Sequence, residues 1–317
     1  MRALAALCTL VAAAGCGGDR EPAAAAAWES LRPATLQRTE VAAARVGRYI
    51  YVMGGFDASG ATSAATERYD IERNRWRRVA GMPVALNHAA AVADRGRVYV
   101  LGGYSSGTGL SQEVAALYRY DPGRNRWRRL PSAPTARAAL AVGVIRGRLY
   151  AAGGAAAGSA LSTLEVYDFA RRRWRTGPDM PTAREHLAGA VSGGRFYVLA
   201  GRAAGAGNYA VVEAYDPRAR RWRRVPPMSK PRGGIGAATV TGGRIVVAGG
   251  EETAGTIREV ELYDPRTRRW SALPDLPTPR HGLGVVARGR RLFTLEGGDR
   301  PGYAFTNALE ALVVPRS

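Results

Sequence analysis

Five arginines recur at one place in a repeating pattern. They are Arg38, Arg137, Arg184, Arg232 and Arg280, each a few residues ahead of a run of small apolar residues, with Leu86 at the sixth place. The chain's three histidines, His88, His186 and His281, fall one or two residues further on, and Glu40 and Glu185 lie close by. A guanidinium offers a planar fork of N–H donors that fits a carboxylate in two parallel hydrogen bonds. These arginines and histidines are therefore the candidate ligand-binding residues. The recurrence has a second explanation: an arginine in every unit can tie its own loop to neighbouring backbone. The histidines equally suit packed positions, ligands or bases. No nucleophile motif, phosphate loop or metal-ligand spacing stands out, so the sequence predicts no catalytic residue, cofactor or metal.

These residues sit on a repeat. The six tryptophans, Trp28, Trp76, Trp127, Trp174, Trp222 and Trp270, are separated by 48, 51, 47, 48 and 48 residues. Seven residues before five of them stands Tyr-Asp, from Tyr69-Asp70 to Tyr263-Asp264. After each tryptophan an apolar run ends in a small pair: Gly54-Gly55, Gly102-Gly103, Gly153-Gly154, Ala200-Gly201, Gly249-Gly250 and Gly297-Gly298, the last alignable one residue either way. Each unit holds four strand-like segments; in the second they are residues 88–93, 98–101, 117–121 and 126–130. Forty glycines and eighteen prolines suit many short strands joined by turns. A period of this length with four strands selects a β-propeller. Its first strands should line a crowded axis, which accounts for alanine runs such as Ala42-Ala43-Ala44 and Ala89-Ala90-Ala91.

A glycine pair, then Tyr-Asp, then Trp at this period resembles the kelch repeat over residues 28–317. The resemblance implies an all-β, six-bladed kelch-type propeller with four antiparallel strands per blade. It implies a mouth, on loops entering the first strands and linking second to third, that recognises acidic peptides or sugars. Most of those linking loops are Gly, Ala and Ser; Tyr104, Asn208, Tyr209, Glu251, Glu252, Asp299 and Arg300 are the exceptions. Some kelch-fold proteins are enzymes. Galactose oxidase needs a Tyr–Cys crosslink, and the only cysteines here are Cys8 and Cys16. A periplasmic kelch-fold enzyme epimerises sialic acid anomers with Glu, His and Arg types that also occur here, including Arg184, Glu185 and His186. The expected function is thus a binding or scaffolding module for a protein or glycan, acting as a monomer. A carbohydrate-active enzyme of the epimerase type is the alternative.

The chain opens with a tryptophan unit and ends without one. Its last unit, residues 282–317, has three strand-like segments, and Leu312-Val313 stands where Tyr-Asp should be. The missing fourth strand must come from the residues around Trp28, which would cover an open edge prone to aggregation. Upstream, Arg2, the apolar run 3–14 and Ala13-Ala14-Gly15-Cys16 resemble a lipoprotein signal. Residues 1–15 are read as a signal peptide. Residues 16–26 are read as a lipidated Cys16 and a flexible tether, and 27–317 as the propeller. The expected location is the cell envelope, as an outer-membrane lipoprotein or in the periplasm. The net charge of +20 comes almost wholly from arginine, with Lys230 the single lysine among 46 basic residues. Arginine clusters such as Arg126, Arg128 and Arg129 fall on fourth strands, where charge serves solubility and edge protection; nucleic acid is not an expected partner.

Overall fold

The computed structural model describes residues 26–316; the proposed signal peptide, Cys16 and nearly all of the tether lie outside the described residues. No helix occurs among the described residues. Six four-stranded antiparallel blades follow one another in chain order. In the second, Ala90–Asp94, Arg97–Leu101, Leu117–Asp121 and Arg126–Leu130 pair in sequence from the axis to the rim. The first strand starts two residues later than the sequence pattern suggests. His88 has φ of 52°, a left-handed conformation that cannot continue a strand.

The blades are held to one another by apolar packing. Six buried hydrophobic clusters each join two adjacent blades, and together they run round the ring. In one of them Tyr51 and Met53 of the first blade meet Val98, Val100 and Tyr120 of the second. Each tryptophan stands directly opposite the repeat tyrosine and packs at 4.9–5.2 Å between ring centroids in five blades. Its indole N–H donates to a carbonyl of the preceding unit's exit segment: Trp76 to Arg32, Trp127 to Ala80, Trp174 to Pro131, Trp222 to Pro178 and Trp270 to Pro226. Apolar burial supplies the force between blades, and this bond fixes how each blade leans on the one before.

The ring closes as the repeat count requires. Trp28–Ser30 pairs antiparallel with Thr306–Val313, placing Trp28 opposite Leu312, the position that tyrosine holds elsewhere. The Trp28 indole N–H donates to Pro274 O at 2.8 Å, repeating the pattern of the other five. In the last blade the small pair is Glu296-Gly297, not Gly297-Gly298. Glu296 (φ 53°) and Gly297 (φ 99°) match Gly54 (φ 67°) and Gly55 (φ 87°), with a register shift between Leu295 and Gly297. Glycine is otherwise favoured there because the backbone passes so near the next entry loop. A Cβ on Gly54 would lie 2.2 Å from Leu86 O.

Deleting residues 27–32 should remove both the closing strand and one interblade indole. Losing a packed tryptophan alone costs roughly 3–5 kcal/mol, so a fall in Tm on the order of 10 °C is expected by calorimetry. An unchanged Tm would show that the last blade does not need this segment.

Candidate functional site

The recurring arginines face inward. Arg38, Arg137, Arg184, Arg232 and Arg280 are at most 1% exposed. Each pairs with a glutamate at one position of its own blade's third strand: Arg38 with Glu67 at 3.1 Å, Arg137 with Glu165 at 2.9 Å, Arg184 with Glu213 at 2.6 Å, Arg232 with Glu261 at 2.6 Å and Arg280 with Glu310 at 2.7 Å. Their remaining N–H groups go mostly to carbonyls. Arg280 donates to Glu296 O and Ala308 O, and Arg137 to Gly153 O and Thr163 O. Arg38 also grips the unusual Glu296 with two bonds of 2.9 Å. Burial pushes the Glu296 carboxyl up to about 7 despite that arginine. The expectation that these five arginines bind ligand is therefore corrected. They are internal braces that tie each entry loop to the third strand, and a guanidinium spent on an internal carboxylate has none to offer outside. The second blade lacks the brace on both sides: Leu86 replaces arginine, Tyr118 replaces glutamate, and both are buried in one apolar cluster.

The brace fixes the two residues that follow it, and these build the mouth. At the second of them every blade adopts a left-handed conformation: Glu40, His88, Ala139, His186, Gly234 and Gly282, with φ between 51° and 67°. Their backbones form a closed circle of hydrogen bonds. His88 N donates to Glu40 O, Ala139 N to His88 O, His186 N to Ala139 O, Gly234 N to His186 O and Gly282 N to Gly234 O, all at 2.8–3.1 Å. Val41 N completes the circle onto Gly282 O at 3.2 Å. Left-handed φ costs a side-chain-bearing residue on the order of 1 kcal/mol or more, and glycine nothing. Two blades use glycine; three carry Glu or His instead.

The side chains on this circle meet those of the residues just before it and just after the glycine pairs. His88 Nε2 lies 3.2 Å from Glu40 Oε2. The other Glu40 oxygen accepts from His281 Nδ1 at 3.1 Å, and His281 Nε2 donates to Arg300 O at 3.0 Å. With an acceptor at each nitrogen, His281 is an imidazolium. Burial opposes that charge, but Glu40, Glu251 and the Arg300 carbonyl outweigh it and raise its pKa. Burial likewise pushes the Glu40 carboxyl up, and the imidazoles of His88, His281 and His186 more than reverse this, keeping it ionised. Arg202 spans the opposite wall. Its guanidinium contacts Glu185 at 3.0 Å, Glu251 at 2.8 Å and His186 Nε2 at 3.0 Å. His186 Nδ1 faces Glu185. Phe56 and Tyr104 flank His88 edge-on, and Tyr303 packs on Phe56.

The result is a small polar cup of about 90 Å³ on the axis, rimmed by Tyr303 and Leu110, each more than half exposed. Glu40, His88 and His186 also line a cavity of about 140 Å³ running down the axis among the alanines and glycines of the first strands. Three carboxylates face one guanidinium and one imidazolium, so the cup is acidic although the chain carries +20. All three predicted histidines are here, and the five predicted arginines are behind it. Arg202 and Phe56 were absent from the sequence-derived candidates. Both immediately follow the small pair of their blade, as do Tyr104 and Glu251, and that shared repeat position is the signal that points to them.

Comparison with known proteins agrees with this architecture. The family model for the KLHDC2/KLHL20/DRC7 Kelch-repeats domain matches residues 27–180, and the Kelch motif matches 183–229 and 236–277. The chain belongs to the kelch-repeat family. It is 34% identical over 127 residues to Kelch-like protein 34 of Homo sapiens, covering 39% of this chain and 20% of that protein. It is 35% identical over 147 residues to Kelch-like protein terF of Aspergillus terreus, covering 41% and 31%. With Beta-scruin of Limulus polyphemus it shares 32% over 109 residues, 33% of this chain and 12% of that one. The matches thus span under a third of each relative's length. The solved structure of YjhT superposes with a TM-score of 0.77 at 17% identity, over 90% of this chain and 97% of the other, a likeness of fold.

Changing Arg184 to Ala should strand the buried Glu213 carboxylate and cost about 3–5 kcal/mol in urea unfolding. Replacing both partners after the pattern of the second blade, Arg184→Leu with Glu213→Tyr, should restore most of that loss. Equal destabilisation by the single and double variants would contradict the brace.

Proposed function

We propose that this protein is a binding or scaffolding module of the cell envelope that recognises a partner protein at the acidic cup. The observation that carries the reading is the circle of left-handed residues. Glutamate and histidine stand at three positions where glycine is easier, and such strain is kept where side chains have a task. The acidity of the cup favours a basic side chain of the partner, in place of the acidic ligands suggested by the arginines. Tyr303 and Leu110 supply the exposed apolar contact that surrounds recognition of this kind. Kelch-like relatives make a protein partner the natural class, and a glycan is the other ligand class the cup suits.

A second reading, a carbohydrate-active enzyme of the epimerase type, is favoured by one arrangement. Glu185, His186 and Arg202 lie within hydrogen-bond reach of one another, as acid–base chemistry at a sugar would need. Against it stand the small cup, far under the roughly 300 Å³ of an ordinary small-molecule site, and the engagement of Arg202 by two carboxylates.

A peptide and glycan array probed with the purified chain separates these readings. Peptides with an accessible lysine or arginine should be retained, and Glu251→Gln or Tyr303→Ala should weaken them at least about tenfold, a loss of ~1.4 kcal/mol. Retention unaffected by either change would sink the proposed face. Retention of sialic acids, with faster anomer exchange by NMR that Glu185→Gln abolishes, would favour the enzyme.

We further propose export and tethering to a membrane through a lipid on Cys16, a reading supported by the Ala13-Ala14-Gly15-Cys16 pattern after an apolar run. Cys16→Ser should move the protein from the membrane fraction to the soluble fraction. An unchanged membrane fraction would overturn the anchor.

A further inference from the structure

We propose that Glu40, His88 and His186 form a binding site for a divalent transition-metal ion of the zinc type, at the point where the cup opens onto the axial cavity. This goes beyond partner recognition and does not depend on it. One ligand atom from each of the three lies within 4.8 Å of the other two. The residues come from three different entry loops, so no spacing in the sequence displays them together. The chain has only three histidines, and all three line this cup.

Hydrogen bonding has already sorted the imidazole nitrogens. Thr62 donates its hydroxyl to Ser106 O at 2.6 Å, so its oxygen accepts from Asn87 Nδ2 at 2.8 Å. That fixes the Asn87 amide, whose Oδ1 then faces His88 Nδ1 at 2.7 Å and must accept from it. Nδ1 of His88 therefore carries a proton. Nε2 is left pointing at the Glu40 carboxylate, 3.2 Å away. A cation between these two atoms, a proton or a metal ion, joins them. The separation is near the about 3.3 Å edge of a tetrahedral site with bonds of 2.0–2.1 Å. On His186, Nε2 accepts from Arg202, which can only donate, so the ring proton is on Nδ1 against Glu185.

Each proposed ligand is thus held through its other polar atom: His88 by Asn87, His186 by Glu185, and Glu40 by His281. That is how metal-ligating side chains are usually oriented. Binding would take His186 Nε2 from Arg202, which keeps Glu185 and Glu251 as partners. It would also draw the three ligands closer together. Two imidazoles and a carboxylate suit a borderline ion such as Zn²⁺ or Co²⁺, and not Mg²⁺ or Ca²⁺. A fourth position would face the cup and be filled by water or by a group of the partner.

The test is titration of the purified, untagged chain, stripped with EDTA, with Co²⁺ and Zn²⁺. One equivalent of Co²⁺ should give visible d–d absorption that Zn²⁺ displaces, and Zn²⁺ should raise Tm. His88→Gln with His186→Gln should abolish both. Asn87→Ala should weaken binding about 10–100-fold by releasing His88, an effect that a chance surface site would not show. Glu251→Gln, which impairs the proposed partner contact, should leave the metal stoichiometry unchanged. If the double variant melts early, Asn87→Ala and the competition between Co²⁺ and Zn²⁺ still decide. No stoichiometric uptake, or uptake equal in wild type and the double variant, would overturn the site.

Discussion

The buried arginine–glutamate brace is the interaction that sets the entry loops in five of the six blades. Each guanidinium joins three things in one blade: the entry loop that carries it, the carbonyls where the second strand ends, and a glutamate on the third strand. A charge at that depth is tolerable because a carboxylate and backbone carbonyls surround it, and it therefore favours one geometry. The next two residues of the entry loop inherit that geometry. They close the backbone circle at the axis and aim their side chains into the cup. The mouth is in this sense a product of the brace, which explains why the arginines most suggestive of ligand binding stand one layer behind the residues that can perform it.

The second blade shows the brace to be a solution and not a necessity. There leucine and tyrosine occupy the two positions, and the loop still delivers Asn87 and His88 to the same places in the circle. Apolar packing fills the volume without a charge to satisfy, the exchange expected when both partners of a buried pair change together. The third blade departs differently. It keeps Arg137 and Glu165 but presents Ala138, Ala139 and Ala155 to the axis. Scaffold and chemistry thus vary independently from blade to blade, and a ring with near-sixfold backbone symmetry holds a one-sided site. Glu185, His186, Arg202 and Glu251 make one wall, and Glu40, His88 and His281 the other, with nothing polar from the third blade.

Closure gives this asymmetry a rigid frame. Trp28–Ser30 completes the last blade, so segments far apart in sequence share one sheet and the third strand's outer edge is paired at the seam. The seam also brings the first blade's Glu40 beside the last blade's His281, a contact between residues 241 apart that holds only while the ring is shut.

The sequence by itself determined the architecture. Six tryptophans at a near-constant period set the number of blades, the Tyr-Asp and glycine markers set the strand order, and the unpaired Trp28 unit required a closing strand from the N-terminal side. These features are legible because a repeat states each requirement six times, and a local rule, such as glycine where φ must be positive, recurs often enough to stand out although alanine and glutamate each replace it once. Even the last blade's small pair was ambiguous only where glutamate broke that rule. Tertiary structure alone decided the direction of the arginines. An exposed ligand-binding arginine and a buried brace have the same spacing, and only the carboxylate opposite distinguishes them. It lies about thirty residues onward, three places before the aspartate of the Tyr-Asp marker in four blades, and its position in the sequence does not say that the arginine turns inward to meet it. Tertiary structure likewise decided the cup: its residues come from five blades, and their common chemistry exists only where the axis brings those blades within a few ångströms.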